Sequence, residues 1–571
     1  MTTETPPPAA PPPGAERLPT GSRRRAEGPG LVRRLVPWFL GLGALAALAA
    51  VFVPSFLETG VSLPTLDVSG RVAILPVAND GSQNDTWVRW GLPMVLVDTL
   101  EATAGVRTIG VRRLHGILSE RGLDADDAAA RHRAAEIAIA AGADLVVDAR
   151  FQRLGDGTAL AYRIIDPAGT VTAEGELRDT TALGLAGSLA LALADPLAGG
   201  VAPVPLGRAL SGDPFLDRLY AEGVHRALSD GGGGVLQAYF EIALHGAPDF
   251  LHARAAMIEI LRFQGRLRRA RGMAEELLRD AQSRGSAVLQ ANTFRTLGLL
   301  AALDGDNAAA YEQYRQAYRL EGQRRDRLRQ AAALEEQARV ALAIDRRDEA
   351  LKLFSQVLQL RRGEGDRLGE IDVLLRLGSL MLSDANLDAA TETLAEARDD
   401  ARQIGDAWAE HRVAVSQGEV AWRREDPVAA AEHWQAALAF YRQRGDRRRV
   451  LYLSRDLARA THRLGDFTAA EELYADQLEA AQALEDERLV AEACLRLAEL
   501  ELRQGYAFQA EDHVRCAIEG DRHIENRSDL QRVIAWLAYE QGNFQLAVET
   551  FTRLRRQSTD LWTAEDEAIF G

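Results

Sequence analysis

The chain is almost without lysine. Lys352 is the sole lysine among 571 residues, against 66 arginines. Protein kinases, P-loop NTPases and pyridoxal enzymes each need a lysine on a strand or in a Gly-rich loop. Lys352 falls in a helical segment, so those three classes are excluded. Cysteine is nearly absent too. Cys494 and Cys516 are the only two, and neither has a histidine at metal-ligand spacing. Also missing are a G-x-S-x-G elbow, an H-E-x-x-H helix and a G-x-G-x-x-G turn after a strand. The chain is therefore expected not to be an enzyme and to carry no cofactor or metal. The net charge of −16 argues against general nucleic-acid binding, which needs a basic surface. The run Gly231-Gly232-Gly233-Gly234 has no neighbouring lysine and reads as a turn.

Charge is missing altogether from residues 35–57. As a helix at about 1.5 Å per residue this stretch would reach roughly 34 Å, enough to cross a bilayer. Trp38 and Phe56 lie near its ends, Arg23, Arg24, Arg25, Arg33 and Arg34 precede it, and Glu58 follows. The positive-inside rule then places the N-terminus in the cytoplasm and the rest of the chain outside it. The expected localisation is single-pass in a bacterial inner membrane, with a periplasmic bulk. A cleaved signal peptide is the rival, but its leader and apolar run would both be unusually long. Residues 1–34, with Pro6-Pro7-Pro8 and Pro11-Pro12-Pro13, read as a disordered Pro/Arg-rich tail, and 58–68 as a linker.

What the chain has in abundance is repetition. Ala270, Ala310, Ala350, Ala390, Ala430, Ala470 and Ala510 stand 40 residues apart. A second register of small residues precedes most of them by twelve: Gly298, Ala338, Gly378, Gly418, Ala458 and Ala498. A third, Asp326, Asp366, Asp406, Asp446 and Asp486, sits where one repeat turns into the next and predicts a helix N-cap. Turn signals such as Gly305-Asp306-Asn307 and Gly465-Asp466-Phe467 split each repeat, and between them apolar residues recur at helical spacing, as in Leu351, Phe354, Val357 and Leu358. Each repeat thus reads helix, turn, helix. The two cysteines fall on the two helices of one repeat, where geometry does not guarantee facing Cβ atoms. They are read as two thiols, although an oxidising compartment permits a bridge.

Gly298, Ala310, Tyr314 and Ala317, and again Gly418, Ala430, Trp434 and Ala437, resemble the tetratricopeptide repeat (TPR), with a small residue at position 8, alanine at 20, a large apolar at 24 and alanine at 27. The first repeat carries Phe240, Ala243 and the family's Pro248, and the last carries Ala547 and Phe551. The step of 40 exceeds the family's usual 34 and implies lengthened helices. About eight repeats are expected over 210–571.

Residues 69–200 alternate strand and helix patterns. Arg71 to Val77, Val106 to Val111, Asp144 to Phe151, Ala159 to Ile165 and Thr170 to Leu177 read as strands; Trp87 to Ala102, Ala128 to Ala141 and Leu183 to Leu193 read as helices. The run Val72-Ala73-Ile74-Leu75-Pro76-Val77, the turn Gly142-Ala143-Asp144 and the turn Asp166-Pro167-Ala168-Gly169 are similar to the TolB N-terminal-like domain. The expected fold class is an α-helical TPR solenoid, or superhelix, with a smaller α/β domain and one transmembrane helix.

In the TPR pattern the first helix of each repeat lines a concave groove. Carried onto this chain, those positions include Arg295, Arg339, Arg412, Trp422, Arg423, Tyr452, Arg455, Arg459, His462, Arg463 and Arg503. Guanidinium forks bind carboxylates and aromatics supply contact area, so the partner expected is a protein or peptide, and an acidic one. The competing reading is a solvated face neutralised by Glu419, Glu492 and Glu499. Together these features predict a membrane-anchored extracytoplasmic scaffold. The alternative is a degenerate membrane signalling regulator acting through a separate cytoplasmic effector or kinase.

Overall fold

The computed structural model describes residues 70–557 apart from 81–82, 104–105, 124–126, 198–203, 230–234 and 522–526. The tail at 1–34, the apolar stretch at 35–57, the linker at 58–68 and the four-glycine turn at 231–234 lie outside the described residues. Among the described residues no helix is long and apolar enough to cross a membrane. The longest have 17 residues, about 26 Å at 1.5 Å per residue and short of the roughly 20 apolar residues that a span needs. The expected single-pass membrane localisation is therefore corrected: no described helix supplies it.

Residues from 70 onward first build a mixed sheet of six strands. Strands β1 (Arg71–Ile74), β3 (Arg107–Thr108) and β4 (Leu145–Arg153) run parallel in the order β3-β1-β4. The short β2 (Ala78–Asn79) adds to β4, and β5 (Thr158–Ile165) and β6 (Val171–Asp179) continue antiparallel. β1 is buried on both faces, which accounts for its unbroken apolar run. The helices are α1 (Val88–Ala102), α2 (Val111–Arg121), α3 (Ala128–Ala140) and α4 (Ala182–Leu197), followed by the short α5 (Leu206–Ala209). Arg131 of α3 ties that helix to the sheet, donating to Asp148 and to the Pro76 and Ala149 carbonyls. Helix α2 replaces the end of the strand expected over Val106 to Val111. β3 is only two residues long, and α2 starts at Val111 behind Gly110, which has no side chain to cap it.

The rest of the described chain is helical. It opens with α6 (Pro214–Ser229), α7 (Val235–Gly246) and α8 (Leu251–Phe263). Twelve helices of 17 residues follow at intervals of three: α9 (Leu267–Ser283), α10 (Ala287–Leu303), α11 (Asn307–Gln323), α12 (Arg327–Ala343), α13 (Arg347–Gly363), α14 (Arg367–Ser383), α15 (Leu387–Gln403), α16 (Ala407–Arg423), α17 (Pro427–Gln443), α18 (Arg447–Arg463), α19 (Phe467–Ala483) and α20 (Glu487–Arg503). Helices α21 (Ala507–Gly520), α22 (Ser528–Glu540) and α23 (Phe544–Gln557) close the array. Among the described residues the helices pair into nine hairpins: seven on the alanine register, and one before and one after it that depart from the 40-residue step.

One three-residue turn explains the spacing. After Leu303, the N–H of Gly305 donates to Ala302 O and that of Asp306 to Ala301 O, the paired bonds of a Schellman end. The Asp306 carboxylate then accepts from Ala309 N, capping the next helix. One residue thus closes the first helix and opens the second. The middle residue must be left-handed, and positive φ recurs every 20 residues from Gly265 to Gly505.

The alanine register is the packing seam. All seven alanines from Ala270 to Ala510 have 0% exposure. In the small-residue register, a Cβ on Gly298 would lie 2.8 Å from the Tyr314 ring, and one on Gly418 only 2.3 Å from Trp434 Nε1. Small residues there let the two helices of a hairpin close on a large residue.

The cysteine reading is corrected here. Cys494 on α20 and Cys516 on α21 are disulfide-bonded, with Cα atoms 6.0 Å apart, because these two helices pack as a pair and bring the positions face to face.

Candidate functional site

The α/β segment is docked on the repeats through direct contacts. On α1, Gly91 meets α6 so closely that a Cβ would sit 2.6 Å from the Ala221 carbonyl. About two turns further, Asp98 accepts from the Tyr220 hydroxyl at 2.7 Å. From there the segment runs along successive inter-repeat turns. Arg71 pairs with Asp326 at 3.5 Å and Glu364 at 3.1 Å, Arg113 with Asp366 at 2.7 Å, and Arg121 with Asp406 at 2.6 Å. Arg107 donates to the Arg325 carbonyl and Arg133 to those of Ile404 and Gly405. In the reverse direction, Arg444 donates to Glu120 O.

The chemistry of these turns makes arginine the fitting partner. Each offers the carbonyl end of one helix, negative by its dipole, beside the capping carboxylate of the next. A planar guanidinium can engage both. Covering also changes the caps. Asp326, Asp366 and Asp406 are 0%, 1% and 4% exposed, whereas the equivalent Asp486, beyond the α/β segment, is exposed.

The residues expected to form one groove are divided by this docking. Arg295 and Arg339 line a cavity of about 1170 Å³ between the α/β segment and the first repeats, and Arg339 pairs with Glu336. Arg412 is held by Asp372 at 2.7 Å. Arg423 pairs with Glu419 one turn back at 3.0 Å, on the surface.

Trp422, Arg459 and Arg463 do come together. The two guanidiniums, one turn apart on α18, lie 5.1 and 5.4 Å from the Trp422 ring centroid on α16. Trp422 in turn leans on the buried Trp434, with centroids 6.2 Å apart. A turn earlier on α18, Arg455 lies 5.5 Å from the ring centroid of Tyr452 and bonds Asp456 at 2.9 Å. Asp456 also reaches Arg459 at 3.8 Å, so one carboxylate serves two cations. Burial opposes the charge on Arg455, but its bond to Asp456 outweighs this and moves its pKa up. Arg463 has no carboxylate within ion-pair distance among the described residues. Arg503 lies 5.3 Å from the Trp536 ring centroid on α22, and the His462 ring meets Phe467 at 5.5 Å. Among the described residues no cluster of His, Cys, Asp and Glu could hold a metal ion.

The neutralised-face reading therefore describes Arg339, Arg412 and Arg423. The Arg459–Trp422–Arg463 cluster remains under-neutralised. Sequence reasoning missed the docking arginines 71, 113 and 121; the aspartate register that receives them was visible, but nothing marked which arginines would reach it.

The chain is a tandem helical-repeat protein. No family model matches it, and no curated protein does. Among solved structures it is similar to a Rap protein complexed with competence and sporulation factor, at 16% identity over 62% of this chain and 99% of that one, with a TM-score of 0.36. It is likewise similar to the apo form of RapI, at 12% identity over 61% and 94%, TM-score 0.42, and to pilF of Pseudomonas aeruginosa, at 12% over 42% and 96%, TM-score 0.33. All superpose loosely, and the repeat assignment rests on the 40-residue registers and the helix pairing.

Proposed function

We propose that the chain is a protein-binding scaffold whose later repeats receive an acidic segment of a partner protein. The observation that carries this reading is the Arg459–Trp422–Arg463 cluster, two cations beside one indole ring, of which Arg459 shares Asp456 with Arg455 and Arg463 has no carboxylate within ion-pair distance among the described residues. Arginine and tryptophan are the side chains that most often dominate binding energy at interfaces, and stacking leaves the guanidinium edges free to take carboxylates in pairs. The α/β segment, similar in its residues to the TolB N-terminal-like domain, acts in this reading as an internal cap on the earlier repeats. The reading is of a binding protein and not an enzyme.

Fluorescence anisotropy of the full chain tests it, with a labelled ten-residue peptide rich in glutamate beside one rich in lysine. The glutamate peptide should bind, weaken with salt as an electrostatic contact must, and be lost in Arg459→Glu/Arg463→Glu. Equal binding of both peptides, or of wild type and variant, would sink the proposal.

A further inference from the structure

The cavity under the α/β segment has a charge opposite to that of the chain. Ten arginines but five carboxylates line it, in a protein of net charge −16. Most of these arginines are engaged, among them Arg71, Arg113 and Arg329 in the docking contacts. Arg112, Arg208 and Arg295 have no carboxylate within ion-pair distance among the described residues. The Arg295 Nε is buried and without a hydrogen-bond partner. The Arg295 side chain as a whole is among the lining residues with no carboxylate to neutralise it, and an oxyanion inside the cavity would supply one. Arg295, Arg339 and Tyr314 are all among the residues that line the space. The remaining wall is largely aliphatic, with Val97, Leu251 and Leu299 among its residues.

We propose that this cavity is a binding site for a small amphipathic organic anion, its carboxylate or phosphate on Arg295 and its apolar body along the aliphatic wall. At about 1170 Å³ the space lies just above the roughly 300–1,000 Å³ of small-molecule sites and admits such a ligand, with charged groups on part of the lining and aliphatic side chains on the rest. Arg112 and Arg208 add positive field without being neutralised at contact. The site lies away from the Trp422 cluster, so it does not depend on the partner-binding reading.

Isothermal titration of the full chain with hexyl phosphate, hexanoate and hexanol tests the proposal, with Arg295→Gln, the double variant Arg112→Gln/Arg208→Gln and the surface control Arg423→Gln. Saturable binding of at least one anion but not of hexanol is expected, weakened at least tenfold by Arg295→Gln and measurably by the double variant, and unchanged in the control. Tighter hexyl phosphate assigns the ligand to phosphate monoesters, and tighter hexanoate to carboxylic acids. Circular dichroism checks the fold of each variant, and the exposed pair carries the test should Arg295→Gln lose helix. The proposal is overturned if neither anion saturates, if hexanol binds as well, or if the folded variants bind like the control.

Discussion

Arg121 donates to Asp406 Oδ2 from Nε at 2.9 Å and from Nη2 at 2.6 Å, while Oδ1 of the same carboxylate accepts from Trp408 N at 3.2 Å and caps α16. One side chain thus starts a repeat and anchors the α/β segment to it. The two roles can be separated. Asn caps a helix as well as Asp does, so Asp406→Asn should keep the cap and lose the ion pair, while Asp406→Ala loses both. Both partners are nearly buried, and breaking a buried pair costs about 3–5 kcal/mol. Urea unfolding should place Asp406→Ala below Asp406→Asn by about 1 kcal/mol, the usual worth of a cap. Asp406→Asn and Arg121→Gln together should cost clearly less than their sum. Strict additivity would mean that the pair holds nothing.

Ala385 occupies a left-handed turn position at φ 58°, where eight of the equivalent positions carry glycine. An L side chain pays roughly 1–2 kcal/mol there, partly offset by the greater freedom of glycine in the unfolded chain. Ala385→Gly should therefore stabilise the protein by about 0.5–1 kcal/mol, and Gly305→Ala at φ 80° should destabilise it similarly. Denaturation midpoints of the two variants should move in opposite directions.

Gly418 leaves room for Trp434, whose indole N–H donates to Val415 O at 3.2 Å. A methyl at 418 would press on that nitrogen and force repacking, for about 2–3 kcal/mol including the lost hydrogen bond. In another repeat Ala338 and Phe354 share one core cluster. Trp434→Phe should accordingly relieve Gly418→Ala, so that the double variant is more stable than the two single losses predict.

Asp98 has its pKa raised by burial, against the opposing pull of His252, Tyr220 and Arg112 and with Glu101 adding to the rise. A carboxyl whose folded pKa lies above its unfolded value favours folding while protonated. That contribution is lost as pH rises from about 4, the unfolded value, through the folded one. Asp98→Asn keeps an acceptor for Tyr220 and removes the charge. The stability of the variant relative to wild type should rise as pH goes from 4 towards 7. A flat or falling difference would show that the Asp98 charge is compensated in the fold.

The 40-residue registers made the repeats legible because packing leaves no tolerance at them: Ala430 has 0% exposure, and Gly418 faces an indole. The equal 20-residue half-step was harder to see. Arg325, Asp345, Ala385, Glu425 and Glu485 hold the left-handed position without glycine, which masks its period. The docking was not legible at all. Arg121 and Asp406 lie 285 residues apart, and no local pattern distinguishes Arg121 from other helix-surface arginines. Asp406 looked the same in sequence as Asp486, although only the first is buried. For the same reason the groove residues read as one surface: Arg295 and Arg455 occupy the same repeat position, and only the docked segment puts one in a cavity and leaves the other beside Tyr452.

The repeats themselves supply the control for the measurement that matters most, amide hydrogen exchange compared between equivalent turns. Residues 365–369 and 405–409 lie beneath the α/β segment, and 485–489 carry the equivalent aspartate cap outside it. The account predicts that the covered turns exchange at least tenfold more slowly than 485–489, and that Arg113→Glu/Arg121→Glu removes the difference while leaving 485–489 unchanged. Equal exchange at all three turns in the wild-type protein would contradict the docking and the internal-cap role built on it.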